Sequence, residues 1–287
     1  MMIFILIVVI CHGAEAHQEI RKMTRGKETK EYVPPSLYDT GGISLGLLVL
    51  LGVLQLEDAQ YTSGVLSEGR KLRIVGFTSC LFLLSFLDSL IVRSSPARWL
   101  ILHTVGNAIV MITAAKDTVS TIKTPISSLN GSMSSLVPTL MVPALHVYHM
   151  IGFKCSTADY VHHVLFAGVI CSLGFMYEIG TIQNTIGFFM CGLPGFIDYA
   201  MLACVKTKRL SPVTEKVWNA RINVWLRSPG LLFCAFCCFY ATPPDGFQSH
   251  TFILVGILCL LNGQYYMQVV VGNTYLRIKE FGVNYNS

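Results

Sequence analysis

The side chains of this sequence best equipped for chemistry are histidines set in apolar surroundings. His103 and Asn107 stand four residues apart, so on a helix they lie one turn apart on a common face. His146 and His149 share a face within ALHVYHM, and His162 and His163 follow Asp159 in ADYVHHVLF. Glu178, Gln183 and Asn184 come next, and Asp198 lies in FFMCGLPGFIDYAML. An imidazole pair with a carboxylate can move protons or carry an acyl group. The same residues also have structural readings. His146 and His149 can serve as interhelical hydrogen-bond donors and acceptors, and His162–His163 can cap a helix start. Gln264 and Gln268, one turn apart, read as packing contacts, and Asp88 reads as the partner of an arginine near an interface.

Metal chemistry has a weaker signal. A membrane di-iron centre takes about eight histidines in HxxxH and HxxHH boxes, and these boxes are missing. A single Zn²⁺ between His146, His149 and one of His162 or His163 is conceivable, but no spacing requires it. The sequence therefore assigns no metal and no resident cofactor. Cys234, Cys237 and Cys238 form a C-x-x-C-C inside LLFCAFCCFYA, without a second ligand pair or a nearby charge. They read as small hydrophobes in a core.

The elements that must position these groups are transmembrane helices. Of 287 residues, 53% are hydrophobic and only 13% charged, about half the usual charged share of a soluble domain. The apolar residues come in runs long enough to cross ~30 Å of hydrocarbon. Eight such segments run approximately over 41–56, 72–92, 98–115, 133–153, 160–179, 181–204, 224–241 and 250–276. Pro194, with Gly192 and Gly195, is expected to break the sixth, and Ser228-Pro229-Gly230 to interrupt the seventh. Ahead of them, residues 1–16 read as a signal peptide or short apolar segment, and 17–40 as a hydrophilic basic arm. The leader and segment 41–56 compete for one crossing, so the expected count is seven or eight.

Loop charge sets the orientation. With the N-terminus in the cytoplasm, the far side holds Arg70, Lys71, Arg73, Lys116 and Lys123, leaving 21 − 5 = 16 basic residues on the cytoplasmic side. The net charge of +5 is thus spread as a topology signal and not gathered into a nucleic-acid patch. The sequon Asn130-Gly131-Ser132 then falls on the lumenal side.

From Asp159 to Asp198 the chain resembles the TLC domain, the family of the ceramide synthases and other lipid-handling proteins. The resemblance rests on D-x-x-H-H opening a span and an aspartate about a span and a half later. It implies an all-α, polytopic transmembrane bundle over 72–279, preceded by a span and loop at 41–71 and followed by a tail at 280–287. It also nominates His162, His163 and Asp198 as catalytic residues for acyl transfer, with acyl-CoA as co-substrate. His103, Asn107, His146, His149, Glu178 and Asn184 would then bind substrate. The stretch Gly195-Phe196-Ile197-Asp198 lacks the His-Asp-x-x-Asp arrangement of the ceramide synthases, so the resemblance speaks for the fold more than for the reaction. His146-Val147-Tyr148-His149 is similar to the HVYHH box of fatty-acid elongases, with Met150 in place of its last histidine.

The expectation is an integral, multi-pass protein of the endoplasmic reticulum or another endomembrane. Its partners would be membrane lipids, which it binds or modifies, with no nucleic acid and with homo-oligomerisation left open. The competing classes are a non-enzymatic regulator of membrane lipid composition and a proton-coupled small-solute transporter. The pattern GLPGFIDYAMLACVK followed by TEKVWNARINVWLRSPG fits neither family motif.

Overall fold

A computed structural model describes residues 64–127, 131–155, 163, 171, 179–240 and 247–280. The leader, the basic arm, segment 41–56, Asn130 and most of segment 160–179, including His162 and Glu178, lie outside the described residues. Among the described residues every regular element is helical. Helix α1 (Gly64–Leu87) runs into a π-helical turn (Asp88–Val92), and α2 (Arg98–Lys123) and α3 (Val137–Gly152) follow. Helices α4 (Thr181–Gly187) and α5 (Leu193–Lys206) are joined by a π turn (Phe188–Gly192). So are α6 (Pro212–Ile222) and α7 (Ser228–Tyr240), by a π turn at Asn223–Arg227; α8 (Phe247–Glu280) closes the order.

Among the described residues four helices are long and apolar enough to cross a membrane: Arg98–Lys123, Thr181–Lys206, Pro212–Tyr240 and His250–Glu280. They coincide with the third, sixth, seventh and eighth expected segments. The second appears as a shorter apolar helix, Leu72–Leu87. The fourth yields only the 16-residue α3, which at 1.5 Å per residue is roughly 24 Å, short of ~30 Å of hydrocarbon. Its ends are set by Leu136 before Pro138 and by the extended backbone of Phe153.

The expected breaks at Pro194 and Pro229 do not occur. Each proline instead stands two residues after the end of a widened turn. The N–H of Leu193 reaches back five residues to the carbonyl of Phe188, and that of Ser228 reaches back five to Asn223. Proline cannot donate a hydrogen bond, and its ring crowds the carbonyl four residues back. A π turn gives the backbone the extra room while the helix keeps its direction. In consequence Lys216 and Arg221, expected in the loop before the seventh segment, lie with Arg227 on one continuous helix from Pro212 to Tyr240.

Among the described residues two apolar clusters hold the helices together. Phe77, Leu84, Val110, Leu140, Met141 and Leu145 join α1, α2 and α3. Ile182, Leu231, Cys234, Cys238, Phe252 and Cys259 join α4, α7 and α8. Cys234, Cys237 and Cys238 are all buried there as free thiols, as the sequence reading expects. The outer surface is apolar too, with Trp225 80%, Phe82 78% and Ile112 67% exposed. Large apolar side chains turned outward suit lipid and not water. Helix α2 is the hub, packed on α3, α4 and α5. A β-carbon on Gly192 would stand 3.3 Å from the backbone of Met111, so glycine there sets how closely the π turn meets α2.

Candidate functional site

Four histidines from three parts of the chain meet in one cluster. His103 comes from α2, His146 and His149 from α3, and His163 from beyond α3. The Nε2 of His163 and the Nδ1 of His149 are 2.9 Å apart, a hydrogen bond in which one ring donates and the other accepts. The rings of His146 and His163 are 5.0 Å apart, and those of His103 and His149 6.1 Å. Trp99, one turn before His103, fills the space between them. It stacks on His149 at 3.6 Å and meets the edge of His103 at 3.5 Å. Tyr199 of α5 closes the other side, 4.3 Å from His103.

The rings are held by the elements around them. His146 Nδ1 is 2.7 Å from the carbonyl of Val142, which can only accept, so Nδ1 carries the proton in that contact. Asp88, in the π turn after α1, takes two hydrogen bonds from the Arg98 guanidinium. It takes a third from Tyr148 Oη at 2.6 Å. Arg98 lies over the ring of Phe153 at 4.7 Å, and Phe153 packs on Trp99 and His149. The expected Asp88–arginine pair is therefore present, and it braces the residues on either side of Trp99 and His149. Cys155, two residues past Phe153, completes the neighbourhood. Ligand atoms of His149, Cys155 and His163 all lie within 4.8 Å of one another.

The other sequence-nominated residues go elsewhere. Asn107 is buried one turn from His103, and its amide lies against Gly195, where a β-carbon would come within 2.7 Å of Nδ2. Asn184 is fully buried and belongs to a separate network. It donates to Asp117 Oδ2 at 2.6 Å and to the carbonyl of Ser135 at 2.8 Å. Asp117 also accepts from the Ser134 N–H at 2.9 Å, so this network fastens the strand of chain entering α3 to α2 and α4. Gln264 donates to Ser228 at 3.0 Å, a packing contact between α8 and α7.

Asp198 does not join the histidines. Gly195 and Tyr199 face α2, which turns Asp198 toward α6, where Glu215, Lys216 and Arg227 are its charged neighbours. There it heads a polar ladder that the sequence reading left without a role. Glu215, Asn219, Asn223 and Arg227 recur every four residues, so they share one face through the π turn. Asn219 donates to Glu215 at 3.3 Å, Asn223 to Asn219 at 2.7 Å, and Arg227 to Asn262 of α8 at 3.1 Å. Arg227 also lies 4.4 Å over the ring of Tyr266. Among the described residues, Asp198 Oδ1, Asn223 Oδ1 and Arg227 Nε are buried without a hydrogen-bond partner.

Of the residues the sequence reading missed, this ladder was the most legible, since a four-residue repeat inside TEKVWNARINVWLR can be read directly. Trp99 is detectable as the residue one turn before His103. Cys155 and Tyr199 carry no signal in spacing, because different segments bring them to the cluster. Comparison with protein-family models, curated proteins and solved structures finds no match for this chain.

The cluster offers two kinds of chemistry. A hydrogen-bonded imidazole pair can pass a proton, and imidazoles with a thiol can hold a soft or borderline metal ion. In either case the Trp99 ring, stacked on His149, walls one side of the reacting group.

Proposed function

We propose that this chain is a multi-pass protein of the endoplasmic reticulum or another endomembrane that binds lipid and transfers an acyl group to it. The TLC-like resemblance of Asp159–Asp198 favours this class. The observation that carries the reading is the gathering of His103, His146, His149 and His163, with Trp99 packed on His103 and His149, inside a bundle whose outer face is apolar. Two of these imidazoles, His103 and His163, are buried and His146 and His149 are half-buried, a costly arrangement unless they serve a polar ligand or reaction. A lipid entering from the bilayer would leave its tail among apolar side chains and bring its polar end to the cluster. In the reaction the lipid amine attacks the thioester carbonyl of acyl-CoA, the C–S bond breaks, and the amine proton ends on the coenzyme A thiol.

The site of that reaction is the histidine cluster, with Asp198 outside it. The full chain, reconstituted in vesicles with labelled long-chain acyl-CoA and a long-chain amine, is expected to form labelled amide. His163→Ala and Trp99→Ala should abolish it, and Asp198→Asn should not. Absence of transfer to any long-chain amine or alcohol refutes the enzymatic reading. Retained crosslinking of a photoactivatable lipid at the cluster would then identify a non-enzymatic lipid-binding protein.

A second reading, proton-coupled transport of a small solute, draws on the buried ladder from Asp198 to Arg227. Polar residues within apolar helices commonly mark ion pathways. It predicts proton-coupled flux in vesicles that Asp198→Asn and Glu215→Gln both remove.

A further inference from the structure

The presence of Cys155 decides between the two chemistries open to the histidine cluster. A histidine pair alone is a proton relay, whereas a pair joined by a thiol is a metal-ligand set. His149, Cys155 and His163 each bring one ligand atom, and those atoms lie within 4.8 Å of one another. We propose that these three residues bind a single Zn²⁺ through two imidazole nitrogens and one thiolate, leaving the fourth tetrahedral position open.

The geometry is close to what zinc requires. With Zn–N of about 2.0–2.1 Å and Zn–S of about 2.3 Å, tetrahedral ligands stand roughly 3.3 Å apart for N···N and roughly 3.6 Å for N···S. The His149–His163 nitrogens, at 2.9 Å, need to part by only about 0.4 Å to meet that spacing. The widest pair needs to close by about 1.2 Å, within reach of a rotation at Cys155. Cys155 lies past the end of α3 and is half-buried, so its side chain is not locked inside a helix.

The donor types and surroundings also fit. Zinc is borderline in softness and accepts both imidazole and thiolate. Three protein ligands with one free position is the pattern of catalytic zinc, whereas structural zinc takes four. Trp99 stacked on His149 fixes that ring against rotation, and Phe153, held under Arg98, walls the same side. Such outer contacts orient ligands and tune the metal. Binding releases one proton, from the Cys155 thiol. The imidazole that donates in the His149–His163 bond moves its N–H to its other ring nitrogen, freeing the lone pair for the metal.

What the open position would take is a carbonyl oxygen, and the thioester of acyl-CoA is the natural occupant. That last step rests on the acyl-transfer reading above; metal binding does not.

The test uses the full chain purified in detergent with a tag that contains no histidine. Elemental analysis is expected to find one zinc per chain, lost in Cys155→Ser and in His163→Ala and kept in His250→Ala. Replacing zinc with Co²⁺ should give a thiolate-to-cobalt charge-transfer band that Cys155→Ser removes. Far-ultraviolet circular dichroism of each variant separates loss of metal from loss of fold. If Cys155→Ser is misfolded, the cobalt band of the unaltered protein and its quenching by a thiol-alkylating reagent decide instead. No zinc and no cobalt band, or zinc that is indifferent to Cys155 and His163, overturns the proposal. Copper in place of zinc, with intense visible absorption, overturns the assignment of the metal. Zinc bound in the expected way without acyl transfer would refute the enzymatic reading and leave this one standing, and transfer that persists after zinc is removed would refute the thioester's place at the open position and leave metal binding standing.

Discussion

Replacing Arg98 with methionine should destabilise the protein by about 3–5 kcal/mol, the usual cost of stranding one partner of a buried pair. The Asp88 side chain is only 3% exposed and that of Arg98 21% exposed. Arg98→Met keeps most of the side-chain volume and removes both guanidinium hydrogen bonds. The Asp88 carboxylate is then left with Tyr148 as its hydrogen-bond partner. Removing the charge as well, in Asp88→Leu with Arg98→Met, should recover a large part of the loss, because a buried pair replaced by apolar residues is often near neutral. The coupling between the two substitutions should therefore be on the order of 2–3 kcal/mol. The chain supplies its own reporter. Cys234, Cys237, Cys238 and Cys259 are buried free thiols, so a thiol-reactive fluorophore labels them only as the bundle opens. Denaturation followed by this labelling in detergent, for the wild type, both single variants and the double variant, closes the cycle. If Arg98→Met falls within about 0.5 kcal/mol of wild type, or if the two effects simply add, the pair is not the brace described here.

Three further outcomes follow from the packing. Asn184→Ala removes two buried donors, one of them to the Asp117 carboxylate, and should cost about 2–4 kcal/mol in the same labelling assay; Ser127→Ala, at an exposed position, should be silent. Gly195→Leu drives a side chain into the Asn107 amide and should destabilise by about 1–3 kcal/mol; a neutral result would mean that α2 and α5 do not approach as described. Trp225, 80% exposed on the helix from Pro212 to Tyr240, should be quenched by brominated lipid chains in vesicles, and quenching by aqueous iodide instead would place that face in water.

Much of the helical framework was legible in the sequence. Long apolar runs at 98–115, 181–204, 224–241 and 250–276 could form little but helices, since a backbone in an apolar medium must satisfy its own hydrogen bonds. Composition also settled that Cys234, Cys237 and Cys238 are packing groups. The partner of Asp88 followed from its cost if left alone. Proline misled the reading because a local rule predicts a broken hydrogen bond, while the chain can distribute that loss over a π turn. The expected segment 133–153 ends where α3 does, but the helix starts only at Val137, with Pro138 in its first turn, and hydropathy alone does not register that start.

Sequence alone nominated His103, His146, His149 and His163 as polar groups in apolar helices. It could not say which of them touch, because helical periodicity orders residues on one helix and says nothing about the neighbour. Tertiary structure decided that. Packing of α2 on α3 and α5 brings Trp99, His149 and Tyr199 together, and the bond between His149 and His163 joins segments 14 residues apart. The same packing sends Asp198, one residue before Tyr199, to a different side of α5, toward the charges of Glu215, Lys216 and Arg227. A rotation of about 100° between adjacent helical residues separates the aspartate from the histidines that the linear motif had grouped with it.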